Sequence, residues 1–323
     1  MADSTPKIGR TLQLPILNRS VQRIAFGCEP LGGYNWGHVD ISAIEAAIEA
    51  ALEIATPEKA ILFDTSDTYG PHLSEERLGQ CLAGRREATV LATKFGVRLA
   101  DGRAFYDTSP AYVDRALDAS LSRLGTDQID LYQMHWPDAA TPLADTLSAL
   151  ERFRAEGRIG AYGVSNVAPR DLTPHLEAFP GLASFSLGYS LLDREREADI
   201  LALCDRGLVF LAYGALAQGL LSGKYGADTV FEGQDRRNNP KYRNFHGERL
   251  TRNLAIVESL KSEAVTLGVP VPALALGFVL AKLDRSISLA GIKSVDQWYQ
   301  NLSALDVTLT TQGLARVERM GQP

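Results

Sequence analysis

The sequence predicts a (β/α)8 barrel, the TIM-barrel architecture, preceded by an N-terminal β-hairpin. Three observations carry that prediction. Eight short apolar runs that end in polar residues or glycine read as buried parallel strands in a chain of 323 residues. Amphipathic segments of helical period separate them. Three successive runs also end in ionisable residues, Asp64, Lys94 and His135, and a barrel of this kind gathers its chemistry at the C-terminal ends of its strands.

In order, the strand runs are Arg23–Gly27, Ala60–Asp64, Thr89–Lys94, Ile129–His135, Gly160–Ser165, Ser184–Tyr189, Leu208–Tyr213 and Ser286–Ala290. The helical segments between and after them are Ser42–Ile54, Ser74–Ala83, Pro110–Leu124, Pro142–Glu156, Pro169–Ala178, Arg196–Arg206, Leu250–Leu267 and Val295–Ala304. Ser294 suits the N-cap of the last. Thr11–Leu17 and Val21–Ile24 flank Asn18-Arg19-Ser20, which reads as the turn of the hairpin. Pro272–Lys282 reads as an extra helix before the final strand. The stretch 225–247 is polar and rich in Arg and Asn; an insertion of that length is a lid, a binding loop or disorder. A doubly wound sheet is the competing architecture. The whole chain, 1–323, reads as one barrel domain.

Composition sets outer bounds. Apolar residues make up 45% and charged residues 22%, the balance of an ordinary globular chain. The net charge is −6 with no clustered basic run, which argues against nucleic acid or an anionic membrane as partner. Cys28, Cys81 and Cys204 are odd in number and widely spaced, so they form no disulfide framework and no close metal pair. With a polar start at Met1–Arg10 and no apolar run of membrane-spanning length, the expected location is the cytoplasm.

Two absences constrain any nucleotide site. None of the 28 glycines is followed by another two positions on, so there is no GxGxxG. Gly223-Lys224 is followed by Tyr225, so it is no P-loop. Against these stands a positive signal. Asp64, Tyr69, Lys94 and His135 all fall at or just beyond the C-terminal ends of neighbouring strands, where they would converge. Singly, each has an ordinary structural reading: a loop cap, a packed aromatic, a solvated lysine, a core histidine. Jointly, on one end of one sheet, those readings are much weaker.

At this point the sequence resembles the aldo-keto reductase family. The resemblance rests on Phe63-Asp64-Thr65-Ser66-Asp67-Thr68-Tyr69-Gly70, Thr93-Lys94, His135-Trp136-Pro137-Asp138 and Tyr162-Gly163-Val164-Ser165-Asn166. It continues through Tyr189-Ser190-Leu191-Leu192-Asp193-Arg194-Glu195, Gly219-Leu220-Leu221-Ser222-Gly223-Lys224 and Gly291–Asn301. The segments lie in order along about residues 7–310, and the branch looks like the bacterial reductases with a long seventh loop.

The resemblance implies carbonyl–alcohol interconversion by hydride transfer, with Tyr69 as general acid or base. Lys94, paired with Asp64, would lower the Tyr69 pKa, and His135 would orient the carbonyl oxygen. It implies a nicotinamide cofactor, NADP, with NADPH preferred and no metal. Ser165 and Asn166 would bind the carboxamide, and Tyr213 would stack on the nicotinamide. Leu216, Gln218, Gly219, Leu220, Ser222 and Lys224 would follow the pyrophosphate. Gly291, Lys293 and Ser294 would meet the 2′-phosphate, and Gln297 and Asn301 the adenine. Glu29, Tyr34, Trp36 and Trp136 would wall a pocket for a small carbonyl or sugar, with Glu29 disfavouring anions. Ser186 stands where the family usually has Gln or Asn, which puts one carboxamide contact in question. The competing function is a non-catalytic, nicotinamide-binding redox-sensing subunit of the same fold. A third reading makes Lys94 a Schiff-base lysine, which would require it to be free of a carboxylate.

Overall fold

The computed structural model describes residues 8–100 and 103–322. A hairpin of β1 (Thr11–Leu14) and β2 (Arg19–Gln22) opens the chain. Then come β3 (Ile24–Gly27), α1 (Ile41–Ile54), β4 (Ile61–Asp64), α2 (Leu73–Leu82) and β5 (Thr89–Phe95). A second hairpin follows, β6 (Val97–Ala100) and β7 (Arg103–Tyr106), and then α3 (Pro110–Leu124). The alternation resumes with β8 (Ile129–Met134), α4 (Leu143–Ala155), β9 (Ile159–Ser165), α5 (Pro169–Leu172), β10 (Leu182–Gly188), α6 (Glu197–Asp205) and β11 (Val209–Tyr213). After the long loop stand α7 (Gly247–Leu267), α8 (Val271–Lys282), β12 (Ser286–Gly291), α9 (Val295–Leu302) and α10 (Thr311–Met320). Strands β3, β4, β5, β8, β9, β10, β11 and β12 close into one parallel barrel, with β12 pairing back onto β3. This is the (β/α)8 fold that the sequence predicts.

Side chains alternate across each strand, and this alternation places the site. Leu62, Val90, Ala92, Leu131, Ala161, Val209 and Leu211 fill the barrel interior. Phe26, Ile61, Phe63, Leu91 and Phe210 face the helical shell instead. Two residues beyond an inward position lies another. Asp64 therefore follows Leu62, Lys94 follows Ala92, and Tyr213 follows Leu211 into the mouth of the barrel. The other end is closed by the first hairpin, whose Leu14 and Val21 join the interior cluster.

Three elements differ from the sequence reading. The helix expected over Pro169–Ala178 stops at Leu172 and continues only as a 3₁₀ turn, Thr173–His175. Pro174 has no N–H to give an α-helix and restricts the residue before it. The β6–β7 hairpin was not anticipated, nor was α10, whose start is capped by the Thr310 hydroxyl accepting from Gly313 N–H at 3.0 Å. Among the described residues, no single helix is long and apolar enough to cross a membrane.

Candidate active site

The four residues singled out by position converge. Lys94 Nζ donates to Asp64 Oδ1 at 2.5 Å and to the Thr65 carbonyl at 3.0 Å, and lies 3.4 Å from the Tyr69 hydroxyl. Asp64 and Lys94 are only 4% and 3% exposed, so this ion pair works in a low-dielectric setting. Gln133, inward-facing two residues before His135, donates to the other Asp64 oxygen at 3.3 Å. The His135 ring stands edge-on to Tyr69, with centroids 6.0 Å apart.

Backbone packing holds Tyr69 in place. Gly70 sits at φ +60°, and a Cβ there would come 2.0 Å from the Gly32 carbonyl oxygen. The Tyr69-Gly70 turn therefore nests against the turn after β3, an approach only glycine permits.

The electrostatics correct one expectation. The Tyr69 hydroxyl is pushed well above its usual 10, first by burial and then by Glu29 and Asp64; Arg236 opposes this. The free phenol is thus not acidified as foreseen. His135 is held well below 6.5, first by burial and then by Lys94 and Arg236, so its imidazole is neutral. Arg236, which the sequence reading missed, belongs to the loop 225–247. Its guanidinium donates to Glu29 at 2.5 Å and its backbone N–H to the Asn35 carbonyl at 3.0 Å. Arg236 therefore balances the Glu29 charge, which weakens the reason given for disfavouring anions.

The remaining candidate residues ring the same mouth. Asn166 adopts φ +62°, a strained value for a non-glycine residue. It is held there by donation to the His135 carbonyl at 2.9 Å and by accepting the Tyr213 hydroxyl at 2.6 Å. Its neighbour Ser165 is buried, with Oγ 3.0 Å from the Asn166 amide. Gly188 has no side chain to displace the Tyr213 ring, which lies across it. Ser186 donates its hydroxyl to the Leu211 carbonyl at 2.7 Å, so it is spent inside the barrel wall.

After β11 the backbone turns sharply, with Ala217, Gln218 and Gly219 all at positive φ. Leu216 is half-buried and Leu220 wholly buried, so Leu220 offers the mouth only its backbone. Ser222 donates to the Gly219 carbonyl at 2.6 Å, and Lys224 lies 4.9 Å from the centre of the Tyr225 ring.

At the far side, β12 ends at Gly291 and Ser294 caps α9, accepting from Gln297 N–H at 3.3 Å. The Gln297 side chain accepts from Lys293 N–H at 3.0 Å, and Asn301 is buried. Lys293 Nζ donates to the Trp36 carbonyl and lies 3.4 Å from that of His38. Its ammonium is held down to about 8, first by burial and then by Arg237 and Lys224. Tyr34 donates to Gln234 at 3.2 Å, and Trp36 stands edge-on to Tyr242 at 6.2 Å between centroids. Trp136 stacks on Tyr106 of the second hairpin at 5.8 Å. The long loop is thus neither disordered nor detached; it is tied to the turn after β3. Among the described residues, no group of three or more His, Cys, Asp or Glu is placed to hold a metal ion.

Comparison with known proteins agrees with this geometry. The Aldo/keto reductase family model matches residues 23–322. The aldo-keto reductase YhdN of Bacillus subtilis is 34% identical over 280 residues, covering 85% of this chain and 82% of its own. The NADH-specific methylglyoxal reductase of Escherichia coli is 31% identical over 276 residues, covering 81% and 83%. In three dimensions, the glycerol dehydrogenase AKR11B4 of Gluconobacter oxydans superposes with a TM-score of 0.86 at 31% identity, covering 100% and 98%. The chain belongs to the aldo/keto reductase family and is one of its oxidoreductases.

Proposed function

We propose that the protein reduces small aldehydes or ketones, sugars among them, and runs the reverse alcohol oxidation at the same site. The observation that carries this reading is the Asp64–Lys94–Tyr69 chain, with Lys94 Nζ 3.4 Å from the phenol oxygen and 2.5 Å from the carboxylate. A nicotinamide nucleotide supplies or accepts the hydride when bound. All other steps belong to side chains of this protein.

Neutral His135 orients the carbonyl oxygen by donating an N–H without adding full charge. As that oxygen becomes negative, Tyr69 delivers its proton. A phenol held above its usual pKa is fully protonated at neutral pH, as an acid must be at the start. Lys94 then stabilises the phenolate as it forms, and Asp64 keeps Lys94 in position. That same pairing speaks against a Schiff-base role for Lys94, since an amine held at 2.5 Å by a carboxylate is a poor nucleophile.

The residues present also fit a phosphate-bearing nucleotide. Lys293 is driven down to about 8, first by burial and then by repulsion from Arg237 and Lys224, while Asp235, paired with Arg237 at 2.5 Å, opposes. An anion among them would relieve that repulsion. We read Ser165, Asn166 and Tyr213 as the nicotinamide end of the site, residues 216–224 as the pyrophosphate segment, and Lys293 with Ser294 as the 2′-phosphate contact. Gln297 and Asn301 remain the adenine candidates. NADPH is therefore the proposed cofactor and the cytoplasm the proposed location. Activity is expected to survive dialysis against a chelator.

The test is Tyr69→Phe. Turnover should fall by at least ~10²-fold, while the dissociation constant for NADPH stays within about twofold, because the hydroxyl acts on substrate oxygen. A variant retaining more than about a tenth of wild-type kcat removes Tyr69 from the acid role.

A further inference from the structure

Ser66 sits at a junction that the scheme above does not use. Its Oγ is 3.2 Å from His135 Nδ1 and 3.2 Å from Asp67 Oδ1. It also accepts the Thr68 N–H at 3.3 Å and lies 3.1 Å from the Thr68 hydroxyl. Ser66 is fully buried and Asp67 is 4% exposed. Among the described residues, the Asp67 carboxylate has no cation partner, because Arg123 is committed to Glu75 at 2.6 Å.

We propose that Asp67, acting through the Ser66 hydroxyl, sets which ring nitrogen of His135 carries the proton, and is thereby a positioning residue for the carbonyl-orienting histidine. The inference rests on the reading of His135 as the donor to substrate oxygen.

The argument is a count of protons. A neutral imidazole has one N–H. His135 stays neutral because burial, Lys94 and Arg236 hold its pKa down. For Nε2 to donate to a carbonyl, Nδ1 must be bare and must accept a hydrogen bond. Ser66 is the side chain within reach of Nδ1, and it has one proton to give. When Asp67 is protonated, its O–H donates to Ser66 Oγ, Ser66 donates to Nδ1, and Nε2–H is left for the substrate. When Asp67 is ionised, the carboxylate draws the Ser66 proton to itself. Ser66 then accepts from Nδ1–H, and Nε2 presents a lone pair to an oxygen that also carries lone pairs. In this change Asp67 releases one proton to solvent. One further proton leaves Nε2 and one joins Nδ1 through water, so the ring remains neutral.

The groups that face Asp67 are Glu75 on α2, Arg123 and Tyr112 on α3, Lys94 on β5, Tyr132 on β8 and Ser66 beside it. Burial first and Glu75 next push its carboxyl up to about 8, with Ser66, Arg123 and Lys94 opposing. The acid form thus holds at neutral pH and gives way above it. Tyr69 does not titrate in that window, since its own pKa lies well above 10.

The test is direct and needs no turnover. Long-range ring ¹⁵N–¹H spectra of the labelled, substrate-free protein report the His135 tautomer, with the resonance assigned against His135→Asn. Wild type should show Nε2–H near neutrality and a shift to Nδ1–H with a midpoint near the Asp67 pKa of about 8. Asp67→Asn should stay Nε2–H throughout, because its amide donates to Ser66 and cannot ionise. Wild-type kcat/KM should decline on the alkaline side, and the Asp67→Asn variant should lose that decline. Ser66→Ala should abolish the pH dependence of the tautomer, and serves if Asp67→Asn does not fold. A single tautomer in wild type across the range would overturn the proposal, as would an unchanged midpoint in either variant. Nδ1–H throughout would mean that Thr68 takes the Ser66 proton, and would overturn it equally. Because the spectra are read without substrate, loss of the Tyr69 reading would leave their outcome intact.

Discussion

Arg236 donates to Glu29 across 2.5 Å, and this one pair joins the loop after β11 to the turn after β3 beside Tyr69. Both partners also act on the proposed catalytic groups: Glu29 raises the Tyr69 pKa, while Arg236 lowers those of Tyr69 and His135. The pair is part-exposed, at 35% and 26% for the two side chains, so its strength is that of a screened bridge.

Neutralising Glu29 should therefore change substrate choice more than turnover. In Glu29→Gln, Arg236 keeps its charge without its partner. The ratio of kcat/KM for a small keto acid over a neutral ketone of the same size should rise about fivefold, or roughly 1 kcal/mol. The same experiment at high salt should show a smaller rise. An unchanged ratio would place the pair outside the substrate pocket.

Gly70 offers a purely steric test. Alanine there must take up φ +60° and bring its Cβ to 2.0 Å from the Gly32 carbonyl oxygen. The turn carrying Tyr69 has to move, at a cost of about 2 kcal/mol or more. We expect Gly70→Ala to lower the melting temperature by roughly 4 °C or more and to lose most of its kcat. A variant with wild-type melting and wild-type kcat would show that this close approach does not position Tyr69.

Asp67 also predicts a pH dependence of stability. Its native pKa of about 8 lies above the unfolded value near 3.8. Between those values the native state holds a proton that the unfolded chain has lost, so stability falls as pH rises through that window and levels off above it. Asp67→Asn removes this contribution. The melting-temperature difference, variant minus wild type, should therefore grow more positive from pH 4 to pH 8. A constant difference across that range would mean that Asp67 is not a buried, uncompensated acid.

Much of the site could be read in the sequence because strand periodicity is rigid. Once Leu62, Ala92 and Leu131 are assigned to the interior, Asp64, Lys94 and His135 follow on the same face. Gln133 was available by the same rule, since it lies between Leu131 and His135, but no motif drew attention to it. Arg236 was beyond reach. Nothing local in a 225–247 loop says which of its arginines turns inward, and Glu29 is more than two hundred residues away in sequence. The Tyr69 pKa was misjudged for a related reason. Lys94 was visible as a neighbour, while the burial that pushes the phenol up, and Arg236 that opposes it, belong to the assembled barrel. The β6–β7 pairing went unread in the sequence, although Asp-Gly at 101–102, outside the described residues, is a dipeptide that favours a hairpin turn.

On the proposed reading, cofactor choice turns on Lys293. It leaves β12 beside Ser294, whose hydroxyl caps α9, so a cation, a hydroxyl and a helix N-terminus share one corner. Asp296 lies in the first turn of that helix and is the nearest acidic residue along the chain. An acidic side chain turned toward a ribose favours NADH, whereas Lys293 favours a 2′-phosphate. Arg237 and Lys224 depress Lys293, while Asp235, paired with Arg237 at 2.5 Å, offsets part of that; a 2′-phosphate would relieve the rest. In the protein as it stands, Lys293 donates to the Trp36 carbonyl, so nucleotide binding has to exchange that bond for the phosphate. The preference should therefore be moderate. Lys293→Ala should raise the KM for NADPH about fivefold or more, the worth of one charge-assisted contact, and move the KM for NADH by less than twofold. The wild-type preference should also weaken as pH rises past about 8, where the free ammonium loses its proton. Equal effects on the two cofactors, or a wild type that prefers NADH, would show that Lys293 does not read the 2′-phosphate.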